Sequence, residues 1–172
     1  GLVGSEMCIR DRNYVEYTDV MYVGYRYFET MPGAAEKVNY PFGYGLSYTT
    51  FRIYTLEADA MDGMIRFLVE VNNTGDREGR EVVQIYYGAP QGKLGKPAKV
   101  LAAYKKTRML KAGESQKIEL CFPVAQMASY DDTGKVAESA WVLEKGSYCF
   151  YVGNSVRDAE RIEFFEYEVE QD

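Results

Sequence analysis

Histidine is absent from the 172 residues, and that absence excludes the most chemistry. Without an imidazole, this sequence can assemble no Ser-His-Asp or Cys-His nucleophile system and no histidine-containing zinc site. Cysteine is scarce: Cys8, Cys121 and Cys149 show no Cys-x-x-Cys spacing. Cys121 and Cys149 each fall in an apolar-rich strand pattern, where a buried free thiol is expected. A disulfide between them would need neighbouring strands within bonding distance. Basic residues number 20 against 26 acidic, for a net charge of −6. That balance argues against nucleic acid or an anionic membrane as a partner, because both call for a basic face. No apolar run approaches the roughly 20 residues of a bilayer-spanning helix. Tryptophan occurs once, at Trp141.

What the chain has in excess is tyrosine and phenylalanine, 16 and 8 residues. Nine of them crowd into residues 22–51, YVGYRYFETMPGAAEKVNYPFGYGLSYTTF. Gly24, Gly33, Gly43 and Gly45 punctuate this ribbon, and Pro41 stiffens its second half and pushes Tyr40 towards extended geometry. Such a segment reads as a chain crossing between two packed bodies. Residues 13–30 are expected to form a turn and then a strand, Met31 to Asn39 a loop, and Tyr40 to Ser47 a linker.

From Thr49 the sequence alternates with period two, the mark of half-buried strands. Phe51, Ile53 and Thr55 alternate with Arg52, Tyr54 and Leu56. Ile65, Phe67, Val69 and Val71 alternate with Met64, Arg66, Leu68 and Glu70. Asn72 to Asp76 reads as a turn, and Asn72-Asn73-Thr74 on it is formally an accessible glycosylation sequon. Val83, Ile85 and Tyr87 carry the next strand, and Gly88 to Lys96 reads as a solvated loop. Residues 100–110 are extended. Ile118, Leu120 and Phe122 face inward, and residues 125–130 suggest a single helical turn. Trp141 and Leu143 begin a short strand, Tyr148, Phe150 and Val152 follow, and Ile162 to Val169 is either an edge strand or a connection onward. Seven or so short strands with regular turns predict an all-β antiparallel sandwich.

The runs YVGYRYF, YPFGYGLSYTTF, VEVNNTGDREGREVVQIYY, KPAKVLAAYKKTRMLKAGESQKIEL and WVLEKGSYCFYVGNS, in this order, resemble the C-terminal part of family 3 glycoside hydrolases, the β-glucosidase family. The resemblance covers residues 14–158 and implies a fibronectin type III-like or Ig-like β-sandwich preceded by a short remnant of an α/β domain. It divides the chain into 13–45 (end of the α/β domain and linker), 46–158 (fibronectin type III-like domain) and 159–172 (edge strand or onward linker). Residues 1–12 do not match; Met7 to Asp11 looks like a translated sequencing adapter, so this tail is expected to be non-native and disordered, with the true upstream sequence missing.

Family members hydrolyse β-linked sugars with retention through two carboxylates about 5–5.5 Å apart. The resemblance places both in an α/β domain and a barrel outside these residues, so it implies no catalytic residue, metal or cofactor here. It implies as partners those two domains of the same polypeptide and, through them, a β-linked oligosaccharide or glucoside. The alternative is a stand-alone Ig-like carbohydrate-binding or adhesion module.

Two readings of the ribbon remain open. Exposed tyrosines stack on sugars, which would put Tyr25, Arg26 and Tyr44 beside a substrate. Aromatic rings also dominate interfaces, which would make Tyr22, Tyr27, Phe28, Phe42, Tyr48 and Trp141 packing residues between domains, with Trp141 serving as a core or interdomain plug. Arg26 is expected to pair with a carboxylate or with carbonyls there; Glu16 and Asp19 are carboxylates near enough in sequence. Asp131-Asp132 is expected on a turn, with the two side chains pointing apart into water.

Overall fold

Alternating β-branched and aromatic residues favour an extended chain whose two faces differ, and the strands fall where that alternation runs. The computed structural model describes residues 21–171. Within them are nine strands: β1 (Phe51–Met61), β2 (Met64–Asn73), β3 (Val82–Gly88), β4 (Val100–Lys106), β5 (Ser115–Pro123), β6 (Ser129–Asp131), β7 (Ala140–Val142), β8 (Gly146–Gly153) and β9 (Glu160–Val169). One antiparallel sheet runs β1-β2-β5, a second runs β4-β3-β8-β9, and β6-β7 is a short hairpin. The last segment is therefore an edge strand, paired with β8 from Gly146–Val169 to Val152–Glu160. Residues 1–20, which include the adapter-like tail, Cys8, Glu16 and Asp19, lie outside the described residues.

The inner faces of both sheets share one core. β2 shows the rule most plainly: Ile65, Phe67, Val69 and Val71 are fully buried, while Met64 and Arg66 are exposed. Phe67 meets Phe150 of the opposite sheet at 5.4 Å between ring centroids, and Phe165 of β9 closes on Phe150 at 5.5 Å. β3 departs from the rule, because every residue from Val83 to Gly88 is buried. Val83, Ile85 and Tyr87 belong to the shared core, while Tyr86 belongs to a second cluster with Val156 and Ala159.

What covers that second face is the ribbon. Residues 22–28 are not the expected strand: Tyr25–Phe28 is a four-residue helical turn, α1. Gly24 at φ +57° reverses the backbone, a conformation that suits glycine, and Glu29 N–H then donates to the Tyr25 carbonyl at 2.8 Å. The turn drives Tyr25 onto the sheet and leaves Tyr27 exposed; a strand would have put both on one side.

Several other expectations are corrected. Cys121 is exposed rather than buried, because Leu120 and Phe122 take the inward positions of β5 and the strand period puts residue 121 outside. It sits in the β1-β2-β5 sheet while Cys149 sits in the other, and both thiols are free. The 88–96 loop is not fully solvated: Lys96 is buried against Glu144 at 2.7 Å, and Glu144 also accepts from Lys93 N–H at 2.6 Å. Asn72 is not on a turn but within β2, in register with Arg52 on one side and Ser115 on the other. The neighbouring Asn73 side chain is a buried knot. It accepts from Thr49 Oγ1 at 2.6 Å and donates to the Leu110 and Arg77 carbonyls, fixing the point where the ribbon enters the sandwich.

Candidate interdomain face and cleft

The ribbon has two sides. Its inner side is clamped to the outer face of β4-β3-β8-β9. The Tyr25 ring stacks on Phe42 at 4.4 Å and meets Tyr86 edge-on at 6.2 Å, and its hydroxyl accepts from Leu101 N–H at 2.9 Å. Burial pushes the Tyr86 hydroxyl well above the usual phenol range, and it donates to Gln84 Oε1. Gln84 in turn donates to the Asn154 carbonyl at 2.6 Å and the Gly43 carbonyl at 3.4 Å. Gly43 must be glycine on two counts: its φ is +84°, and a Cβ would lie 2.3 Å from Gln84 Oε1. Val156 N–H donates to the Phe42 carbonyl at 2.9 Å, Ala98 N–H to Thr30 Oγ1 at 2.8 Å, and Arg157 binds both Glu29 and the Ala35 carbonyl. The ribbon's ion pair to the domain thus runs through Glu29.

Lys99 supports this layer from below. Its ammonium donates to the Val156 and Ala159 carbonyls and lies 4.5 Å over the Tyr151 ring. Burial lowers the Lys99 pKa, and burial together with the Cys149 contact pushes Tyr151 up to about 12.

The outer side of the ribbon is open. Tyr40 and Tyr44 lean on each other at 5.1 Å, both exposed, and Leu46 and Tyr48 are 91% and 93% exposed. A run of large apolar side chains this exposed marks an interaction surface rather than ordinary solvent-facing chain.

A cleft of about 590 Å³ opens beside α1. Tyr22 and Arg26 of the ribbon line it together with Tyr87 of β3 and, from the hairpin and its loop, Tyr130, Asp132, Lys135 and Trp141. Trp141 is no core plug: 72% of it is exposed. In the β6-β7 register it sits opposite Tyr130, while the neighbouring Val142 points inward. The loop between the strands is tied by Asp131, which is buried rather than pointing into water. Its carboxylate accepts from Thr133 N–H and Oγ1, Val136 N–H at 2.7 Å and Ala137 N–H at 3.1 Å. Those donors, the Val136 N–H first, hold Asp131 well below the usual carboxylate range. It is a folding anchor, saturated by donors, and Asp132 alone faces the cleft.

The residues expected near substrate are not brought together. Arg26 lines the cleft, Tyr25 is sandwiched between Phe42 and Tyr86, and Tyr44 lies on the open side with Tyr40. Of the residues expected to pack between domains, Tyr27, Phe42, Tyr48 and Trp141 are exposed, while Tyr22 and Phe28 are partly covered within the chain. Sequence reasoning missed the Tyr130–Trp141 wall; the signal was two aromatics flanking a turn marked by Asp131-Asp132-Thr133-Gly134. Among the described residues, no three His, Cys, Asp or Glu side chains gather as a metal site, and no helix is long and apolar enough to cross a membrane.

Comparison with known proteins places this architecture. Residues 81–156 match the fibronectin type III-like domain family. β-Glucosidase A of Butyrivibrio fibrisolvens is 54% identical over 170 residues, and the match takes in 90% of this chain but 20% of that protein. A β-glucosidase of Ruminococcus albus is 42% identical over 156 residues, covering 90% of this chain and 16% of the relative. Among solved structures, a β-glucosidase from Paenibacillus barengoltzii superposes with a TM-score of 0.83 at 46% identity, covering 90% of this chain and 17% of that one. β-Glucosidase 3B from Thermotoga neapolitana, solved with α-D-glucose, gives 0.76 at 39% identity, covering 90% and 20%. The chain thus spans about a fifth of the length of the relatives it matches. Its sandwich carries the fibronectin type III-like domain, and over nine-tenths of its length the chain is similar to β-glucosidases.

Proposed function

We propose that this chain is the C-terminal structural domain of a β-glucosidase-like hydrolase that cleaves terminal β-linked sugars with retention. The observation that carries the reading is the two-sided ribbon. Its inner side is fixed by Tyr25, Phe42 and Glu29, and its outer side presents Tyr40, Tyr44, Leu46 and Tyr48 to a neighbour. In this reading residues 13–45 are the end of the adjoining α/β domain, and 46–158 with the β9 edge strand form the buttress. Tyr27, Phe42 and Tyr48 pack between domains. The catalytic carboxylates belong to an α/β domain and a barrel of the same polypeptide, and no residue here replaces them.

The test is to sequence the source DNA on both sides of this reading frame. An α/β domain and a barrel carrying the two carboxylates are expected; unrelated neighbours would overturn the reading. The purified chain alone should leave an aryl β-glucoside intact, and measurable turnover would contradict the structural role. A free-standing sugar-binding module is favoured by one observation only, the exposed Tyr130–Trp141 pair.

A further inference from the structure

The cleft beside α1 holds about 590 Å³, within the range of small-molecule sites. Packing among the described residues does not account for its walls. The only tryptophan in the chain is 72% exposed, and Tyr130, which meets it edge-on at 5.5 Å, is 47% exposed. An indole buried in a core would stabilise the fold far more. The Tyr130 contact restrains the Trp141 ring and leaves most of it open.

The polar groups along its rim stand on restrained backbone. Asp132, Thr133 and Lys135 project from a loop whose backbone is tied to the buried Asp131 carboxylate, and Arg26 comes from α1, which is clamped to the sheet. A site held this way pays little ordering entropy on binding. The charges are of mixed sign, a guanidinium and an ammonium with a carboxylate. A phosphate or nucleic-acid site would show an excess of basic groups. Flat aromatic faces beside planar, bidentate hydrogen-bonding groups suit a neutral polyhydroxylated ring instead: its C–H face stacks and its hydroxyls pair with guanidinium and carboxylate.

We infer that this cleft is a carbohydrate-binding site for one or two pyranose units. Trp141 is its stacking platform, and Arg26 and Asp132 hold the ring hydroxyls. Binding is non-covalent and no bond is broken there. The choice of a β-linked glucan as first probe rests on the β-glucosidase reading; the stacking chemistry does not.

Because Trp141 is the sole tryptophan, its fluorescence reports this site directly. Titration of the full chain with cellotetraose is expected to quench and shift that emission to saturation in the low-millimolar range. By calorimetry, Trp141→Ala and Arg26→Ala should each weaken binding at least about tenfold, as for central anchors elsewhere. Trp141→Ala should unfold at the wild-type temperature, since the side chain is so exposed. The inference is overturned if neither cellotetraose nor maltotetraose gives a saturable change, or if Trp141→Ala binds as wild type does. If both sugars bind equally and both need Trp141, the site stands and the preference for β-linkages goes. Flanking DNA without glycosidase domains would sink the parent-enzyme reading and leave this binding result untouched.

Discussion

β2 and β3 are central strands of the two sheets, yet only one of them alternates. On β2, buried Ile65, Phe67, Val69 and Val71 interleave with exposed or half-exposed neighbours, because the far side of its sheet meets water. On β3, both faces are closed: Val83, Ile85 and Tyr87 against the shared core, and Gln84 and Tyr86 under the ribbon. The sandwich is thus a two-layer fold on one side and a three-layer fold on the other. The third layer is an irregular segment held by specific contacts, so the two sides should differ in how they fail.

The largest effect belongs to the shared core. Phe67 is fully buried and touches phenylalanines of both sheets. Phe67→Ala should cost about 3–5 kcal/mol, through lost transfer energy and the cavity left behind. Denaturant unfolding should show one cooperative transition at a lower midpoint, with every strand losing hydrogen-exchange protection together.

Tyr86→Ala tests the outer layer. Tyr86 is equally buried, but one wall of its site is the ribbon, which can relax, so a smaller cost of about 2–3 kcal/mol is expected. The distinguishing readout is local. Amides of residues 25–43 should lose exchange protection while β2 and β5 keep theirs. Loss of protection in β2 to the same degree would show that the ribbon is part of one cooperative unit, and the contrast would collapse.

How much of this was legible follows from the same contrast. Where one face is wet, period two marks the strand, and Phe51, Ile65, Ile118 and Phe150 are found where alternation puts them. β3 alternates on its inner face just as well. The burial of Gln84 and Tyr86 depends on Gly43, 41 positions from Gln84, on the still more distant Tyr25, and on Asn154 and Val156 far downstream, and no local pattern carries that. The YVGYRYF run reads as a strand because its residues favour strands; tertiary docking and the left-handed Gly24 decided otherwise. At the cleft, the Asp131-Asp132 turn was visible, but whether a carboxylate faces water or is wrapped by Val136 and Ala137 N–H depends on loop closure. Trp141 misleads because an indole's size suggests burial, while the short β6-β7 hairpin puts it on the open face.

Acid should act first on the carboxylates held by donors rather than on either core. The Arg108 side chain and then the Lys111 N–H hold Glu114 down at about 2, against ~4.3 for a free glutamate. A depressed folded pKa contributes stability that is present above the unfolded value and lost as pH falls towards the folded one. Glu114→Gln should therefore melt slightly below wild type at pH 6, with the gap closing as pH is taken from about 4.5 down to 2. Asp131, also depressed, acts with the same sign at the base of the cleft loop. A gap that widens in acid would contradict the assignment. Glu114 is partly exposed and paired with a solvent-facing arginine, so the shift should be well below that of Tyr86→Ala.

The smallest effect should come from the outer side of the ribbon. Leu46 is 91% exposed, so Leu46→Ser removes almost no packing within this chain and should change stability by no more than about 0.5 kcal/mol. Its consequence lies in association: the neighbouring Tyr40, Tyr44 and Tyr48 keep an apolar surface in water, and breaking its continuity should reduce self-association at high protein concentration, read by light scattering. A loss above about 1 kcal/mol would mean that Leu46 helps to hold the ribbon to the sheet. The outer side would then be fold and not interface, and the division between a clamped face and a presented one would have to be redrawn.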